Sequence, residues 1–377
     1  MQGPTRIAYA SGSRAPLGLI AATVASGLMF AATPFLIAAI ADRYDVTEGA
    51  VGAISFAQVG AFAAANFLLP RLFAPSGRVL RIAGAVLLVA NLASVVAPGF
   101  GLLVGLRVVA GFAAGTMIWI AWGEAMQRRK SMAAIAATGP ITALVSAPLL
   151  AVLAAQSDAA VYALLTLTGI PVVILRTKAT GERRARGNVS RSRSNRVLLA
   201  ALATLTLFGS ALFINEALVA RDVHDIPSVM ASLAFSLNAA GGWLGARYST
   251  RHRRPGWWLL GIAPSALLTV LAPPWGFFIG MTTWGFAFWM GIPGVLHMLT
   301  ERSLSPSERA GDAQGVMALG RTFGPVLGGA FVDVGTLTGL AVVAAAGTVV
   351  AGATVIAVQE GREHLPPSDP RTVDAGP

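Results

Sequence analysis

Apolar positions along this chain do not alternate with polar ones. They gather into twelve long runs, near 16–40, 50–70, 79–97, 100–123, 132–154, 159–175, 197–220, 229–246, 256–273, 276–299, 312–333 and 336–358, with short polar stretches between. A helix needs about 20 mostly apolar residues to cross the hydrocarbon of a bilayer. The period-2 alternation of a membrane strand is missing. Several runs are rich in small residues, as in Ala57–Ala65 and Gly111–Gly115, which let neighbouring helices approach closely. The pattern predicts an all-α membrane protein of twelve transmembrane helices. Arg6 and Arg14 precede the first run as they would a signal peptide, but the run is long for one and eleven more follow.

Charge gives the orientation. Of the 28 Lys and Arg, 24 fall in alternate polar segments counted from the N-terminus, and only Arg43 and Arg221 fall in the others. Arg107 and Arg321 lie inside runs. Basic residues collect on the cytoplasmic side of short loops, so both termini are expected in the cytoplasm. The net charge of +11 is then an orientation signal and not a nucleic-acid footprint. Composition agrees: 55% of residues are hydrophobic and 12% charged, with mean hydropathy +0.68, against about 25% charged in soluble domains. High Ala, Gly and Arg with almost no Lys fits a bacterial inner membrane.

Catalysis finds little footing. There is no Cys, and His224, His252, His297 and His364 lie far apart. No phosphate-binding loop, H-E-x-x-H or G-x-S-x-G occurs. The chain is expected to be no enzyme, to hold no cofactor or metal, and not to be driven directly by ATP.

The longest internal polar stretch, 176–196, carries eight basic residues and divides the runs six and six. It reads as a cytoplasmic linker between an N-terminal half, 1–175, and a C-terminal half, 197–358, with a cytoplasmic tail at 359–377. A shift of about 180 residues brings Gln58 onto Asn238 and Gly111 onto Gly291. Gly139-Pro140 and Gly324-Pro325 agree at a slightly larger offset. Parallel repeats of six spans are a transporter architecture, with the solute site between the halves near the midplane.

With these features the chain resembles the major facilitator superfamily over nearly its whole length. Span 4 contains Arg107-Val-Val-Ala-Gly111-Phe-Ala-Ala-Gly115, similar to the family's R-x-x-x-G-x-x-x-G pattern there. Span 11 contains Gly311, then Gly320-x-x-x-Gly324-Pro325-x-x-Gly328-Gly329, with the spacing of a glycine-proline motif that the family's antiporters place in span 5. The loop Pro70-Arg-Leu-Phe-Ala-Pro-Ser-Gly77-Arg78 is similar to a degraded G-x-x-x-D-R-x-G-R loop in which Gly77 and Arg78 survive. The resemblance implies that spans 1, 4, 7 and 10 line the solute cavity, and the chain is expected to be a secondary transporter working by alternating access, as a monomer.

Intramembrane charge is a functional hypothesis by default. Arg107 and Glu216 fall in spans that the resemblance places beside the solute, and Asn215 precedes Glu216. A carboxyl group that alternates between an apolar and a cationic setting binds a proton in one and releases it in the other. Glu216 is thus a candidate coupling group; the alternatives are a fixed ion pair or a helix-end Glu reaching water beside Arg221. Arg321, near the middle of span 11, either binds an anionic solute or satisfies carbonyls in a kinked helix. Trp284 and Trp289 lie mid-span in span 10 and are candidates to pack on an apolar solute. Gln58 and Asn238 are either solute contacts or interhelical hydrogen-bond glue. The glycines of span 11 read first as packing positions. Glu124 and His297 are expected to be solvated. Together these give proton-coupled efflux of a small, partly apolar compound. A proton-coupled nutrient importer is the alternative, and a non-transporting receptor or assembly partner a further one.

Overall fold

The computed structural model describes residues 15–127, 129–177, 192–249, 254–301 and 311–360. Among them the chain is helical, without strands. Fourteen helices run in order: α1 Leu17–Tyr44, α2 Gly52–Leu72, α3 Gly77–Val95, α4 Phe100–Gln127, α5 Arg129–Gln156, α6 Asp158–Ile174, α7 Arg193–Phe213, α8 Glu216–Asp222, α9 Ser228–Tyr248, α10 Pro255–Leu260, α11 Ile262–Leu271, α12 Pro274–Glu301, α13 Gly311–Asp333 and α14 Leu337–Glu360. Serine side chains cap several starts. Ser76 accepts from the Val79 amide at 3.3 Å, Ser157 from Ala160 at 3.1 Å and Ser192 from Asn195 at 3.1 Å, each satisfying an amide that the first helical turn leaves unpaired.

Ten helical segments are long and apolar enough to cross a membrane. The other two predicted spans coincide with shorter apolar helices, Asp158–Ile174 and Pro255–Leu271. Two runs that look continuous in sequence are broken. The seventh stops at Phe213 and restarts at Glu216, and the ninth turns at Gly261 between α10 and α11. Neither break interrupts the apolar pattern. The seventh run also begins earlier than expected, because Ser192 caps a helix whose first turn takes in Arg193 and Arg196. The predicted linker shrinks accordingly, and most of it lies outside the described residues, as do most of the two tails. In the degraded loop motif, Pro70 is still inside α2, while Gly77 and Arg78 open α3.

Helices α1–α6 pack mainly on one another, as do α7–α14. The two groups meet along two principal seams, α2 against α13 and α5 against α9. Within each group the tightest crossings are made at glycines. A side chain at Gly111 would collide with the Gln58 carbonyl, and one at Gly285 with the Asn238 carbonyl. These two crossings, α4 on α2 and α12 on α9, match each other in kind. The expected partner of Gly111 was Gly291, but Gly291 packs on Leu259 and Pro255 instead. The register of span 10 against span 4 is therefore offset by 174 residues at this crossing, not 180, because Asn238 is opposed by Gly285.

The glycine stripe of α13 has a packing explanation. Cβ atoms at Gly320 and Gly324 would come within 2.6 Å of the Ala203 and Leu207 carbonyls, and Gly328 rests on Ala211. Residues four apart share a helix face, so the stripe seats α13 directly on the backbone of α7. On the seam, Gly329 meets the Gly49 carbonyl, and Gly52 approaches the Pro325 carbonyl to 2.8 Å measured from an added Cβ. Gly115 meets α2 at Phe62 in the same way, at 2.5 Å. Gly311 stands at the start of α13.

Candidate functional site

One end of the bundle, here the short-loop end, carries the connections 45–51, 96–99, 157, 223–227, 272–273 and 334–336. It is drawn together by polar contacts. Arg43 donates to Asp158 at 2.8 Å and to the Ala97 carbonyl at 2.9 Å. At this end two hydrogen-bonded contacts cross between the helical groups among the described residues. Arg221 donates to Glu48 through both terminal guanidinium nitrogens at 2.7 and 2.9 Å, and the Gly49 amide donates to Asp333 at 3.1 Å. The Arg221 side chain is 48% exposed and that of Glu48 24%, so this fork sits in a high-dielectric setting and is cheap to break. Replacing Arg221 with Gln is expected to raise labelling of a cysteine introduced at Asn215 by a membrane-impermeant thiol reagent; unchanged labelling would show that the fork does not hold this end shut. Sequence reading did not single out Glu48, because it lies in a loop with no spacing signal.

Asn215 and Glu216 sit at the break between α7 and α8 and look in different directions. Asn215 is buried, donates to the Ala211 carbonyl at 2.8 Å, and lines a small cavity between the groups with Ile37, Glu48, Ser55, Pro325 and Gly329. Glu216 is fully buried inside the second group. The Thr269 hydroxyl, on α11, donates to one of its carboxylate oxygens at 2.9 Å, and the other oxygen has no hydrogen-bond partner. The Thr269 carbonyl meets the His224 ring at 2.7 Å, so loop 223–227 lies one residue from this carboxyl group. Two alternatives for Glu216 fall here. It makes no ion pair among the described residues, and it does not reach water beside Arg221, whose guanidinium turns to Glu48 and Asp222. The break in the helix sends the two side chains to different sides.

Arg107 lies in the other group and is 1% exposed. Its guanidinium donates to the Asn91 side-chain oxygen at 3.0 Å, to the Ala90 carbonyl at 3.2 Å and to the Ser94 hydroxyl, and it stacks on Tyr162 with its central carbon 4.7 Å from the ring centre. No carboxylate is among these partners. The charge is held by dipoles and a π face, in a pocket made by α3, α4 and α6. Arg107 and Glu216 are thus not brought together. An ammonium has three donors but no plane to stack on the Tyr162 ring while reaching all three acceptors, so Arg107→Lys is expected to cost roughly 2 kcal/mol, read as a lowered melting temperature, with solute affinity unchanged in the folded fraction. Affinity lost at unaltered stability would place Arg107 on the solute path instead.

Aromatic rings join four helices across the groups. Phe35 of α1 meets Phe235 of α9 with ring centres 5.0 Å apart, Phe235 meets Phe213 of α7 at 5.6 Å, and Phe213 meets Trp284 of α12 at 5.8 Å. Trp284 is therefore at the inter-group aromatic cluster. Trp289 packs against α9 at Gly242, away from that cluster. Gln58 is buried with its side-chain nitrogen unpartnered, whereas Asn238 donates to the Met281 carbonyl at 2.8 Å and acts as glue between α9 and α12. Arg321 is exposed. Glu124, expected to be solvated, is buried at 2% exposure, whereas His297 is exposed.

Comparison with known proteins gives the family. A sequence model of the Major Facilitator Superfamily matches residues 18–329. No curated protein matches the chain. Solved structures share the fold at low identity. A mutant of the nucleoside transporter NupG superposes with TM-score 0.66 at 15% identity, over 91% of this chain and 99% of that one. The human organic anion transporter MFSD10 (TETRAN) gives 0.65 at 14% identity, over 94% and 100%. A bacterial homologue of the human lysosomal transporter Spinster, inward-facing and occupied, gives 0.65 at 14%, over 93% and 98%. With a family match spanning most of its length and helices built to cross a bilayer, the chain is a multi-pass membrane protein that belongs to the Major Facilitator Superfamily of transporters.

Proposed function

We propose that the chain exports a small, partly apolar compound by alternating access in exchange for protons, as a monomer in the inner (plasma) membrane with both termini cytoplasmic. In this reading α1–α6 make six crossings and α7–α14 make six more, with α7–α8 and α10–α11 each forming one broken span. The observation that carries this reading is how the two groups are joined. They pack closely along two seams, with Gly329 on Gly49, Gly52 on Pro325 and a hydrogen bond from Ser236 to the Leu144 carbonyl. At the short-loop end the hydrogen-bonded ties across the seam are Arg221–Glu48, which is part-exposed, and Gly49–Asp333. Packed groups resist deformation while such a seam can part, which is what rocking of two halves needs.

Glu216 supports proton coupling: it is buried, has one free carboxylate oxygen, and lies one residue along from the inter-group cavity. The aromatic cluster of Phe35, Phe235, Phe213 and Trp284 supports an apolar solute body and, with it, export. Liposomes holding the purified protein and an internal pH dye test the reading against a panel of antibiotics, dyes, sugars and amino acids. We expect at least one compound to move protons opposite to its own flux. Protons moving with the solute would make the chain an importer; solute flux without proton movement would remove the coupling.

A further inference from the structure

The middle of α13 carries a cation that the packing of the fold does not explain. The exposed residues Leu319, Phe323, Val326 and Ala330 form one apolar stripe on the outside of the bundle. On a helical projection Arg321 stands diametrically opposite that stripe. Its neighbours around the helix are committed: Gly320, Gly324 and Gly328 are on α7, while Thr322 and Gly329 are on α2 and the loop before it. Arg321 therefore projects between α7 and α2, toward the space between the helical groups. It lies deep in the bundle, surrounded by protein, about 15 Å along α13 from one end and about 18 Å from the other, yet the residue keeps solvent-accessible surface.

No hydrogen bond or ion pair holds Arg321 among the described residues, and neither α2 nor α7 carries an acidic residue. Arg107 shows how this chain secures a structural arginine, with three acceptors and a ring. A bare guanidinium at mid-membrane depth is costly unless it faces water or a ligand. One turn further along the same face, Pro325 enters the cavity with Asn215 and Ile37. The aromatic cluster lies at similar depth. Phe35 is about 14 Å and Trp284 about 15 Å from the short-loop ends of their helices, against about 18 Å for Arg321.

We propose that the transported solute is an organic anion, its carboxylate, sulfonate or phosphate held by Arg321 and its apolar body by Phe35, Phe213, Phe235 and Trp284. This rests on the reading that the chain is a transporter and adds the class of solute. The planar guanidinium matches such oxyanions with paired donors.

The test is calorimetric binding to the full chain in lipid nanodiscs, with empty nanodiscs as the blank. The probes are 1-naphthalenesulfonate, 1-naphthoate and 1-naphthyl phosphate, with 1-naphthylmethylammonium as the cation of matched size. At least one anion is expected to bind saturably while the ammonium does not. Arg321→Gln is expected to weaken that anion by roughly ten- to a hundredfold, and Arg321→Lys by less. Gel filtration and melting of both variants establish that they fold. Binding of none of the three anions, equal binding by Arg321→Gln, or equal binding of the ammonium overturns the proposal. Because binding is read without transport, anion binding through Arg321 in a chain that moves nothing across liposomes would overturn the proposed function and leave this inference standing.

Discussion

Glu216→Gln in liposomes is expected to leave solute exchange running while proton movement falls to background. Glutamine has nearly the shape of glutamic acid, and its amide oxygen still accepts from the Thr269 hydroxyl, a contact of 2.9 Å in the native chain. The fold around α8 and α11 therefore has no reason to change. What is lost is a group that can take up and release a proton. The site suits that task because Thr269 satisfies one carboxylate oxygen and nothing satisfies the other. An unpaired ionised carboxylate in a buried apolar site is expensive, so release must accompany a change in surroundings. That change is available on the same short helix: Arg221, five residues on, ties the two groups together through Glu48. Proton movement at the native rate in Glu216→Gln would take Glu216 out of the coupling step.

Gly111→Leu and Gly285→Leu are each expected to abolish recovery of folded protein, read as loss of the monodisperse gel-filtration peak. At both positions even a single Cβ would collide with a backbone carbonyl, that of Gln58 or Asn238. Backbone cannot swing aside as a flexible side chain does. Overpacking by one methylene in a packed core already costs about 1–3 kcal/mol, and leucine adds three further carbons at a crossing with no gap. Gly105 and Gly123 give the control on the same helix, since an added Cβ there meets nothing within 4 Å. Gly105→Ala and Gly123→Ala are expected to fold normally. A Gly111→Leu protein with the native melting temperature would mean that the α2–α4 crossing is looser than drawn here.

The spans were legible in the sequence because bilayer thickness dictates run length. Ten of the runs recur as helices long enough to cross, and the glycines at 320, 324 and 328 announced a close helix contact through their spacing alone. What sequence could not give was direction around the helix axis. Arg107 and Glu216 both looked like cavity residues by span number, yet one turns to α3 and α6 and the other to α11. The partners that fix them, Ser94, Tyr162 and Thr269, are common residue types in apolar runs and carry no spacing signal. The break at Ile214 and Asn215 was equally silent, since it interrupts neither hydropathy nor periodicity. Arg321 is the counter-example. The glycine stripe on one side and Leu319, Phe323 and Val326 on another leave it an inward direction, which a helical wheel of the sequence already contains.

The chain has no cysteine, so a pair of spin labels can be placed without background. Val96 and Val334 are suited to it: they are 75% and 70% exposed at the short-loop end and belong to different helical groups. Pulsed electron paramagnetic resonance on Val96→Cys/Val334→Cys in lipid measures whether that end opens. Alternating access predicts two distance populations, the shorter one matching the tied end seen here, with Arg221→Gln shifting weight to the longer. A single short distance that neither Arg221→Gln nor bound solute nor pH alters would contradict it.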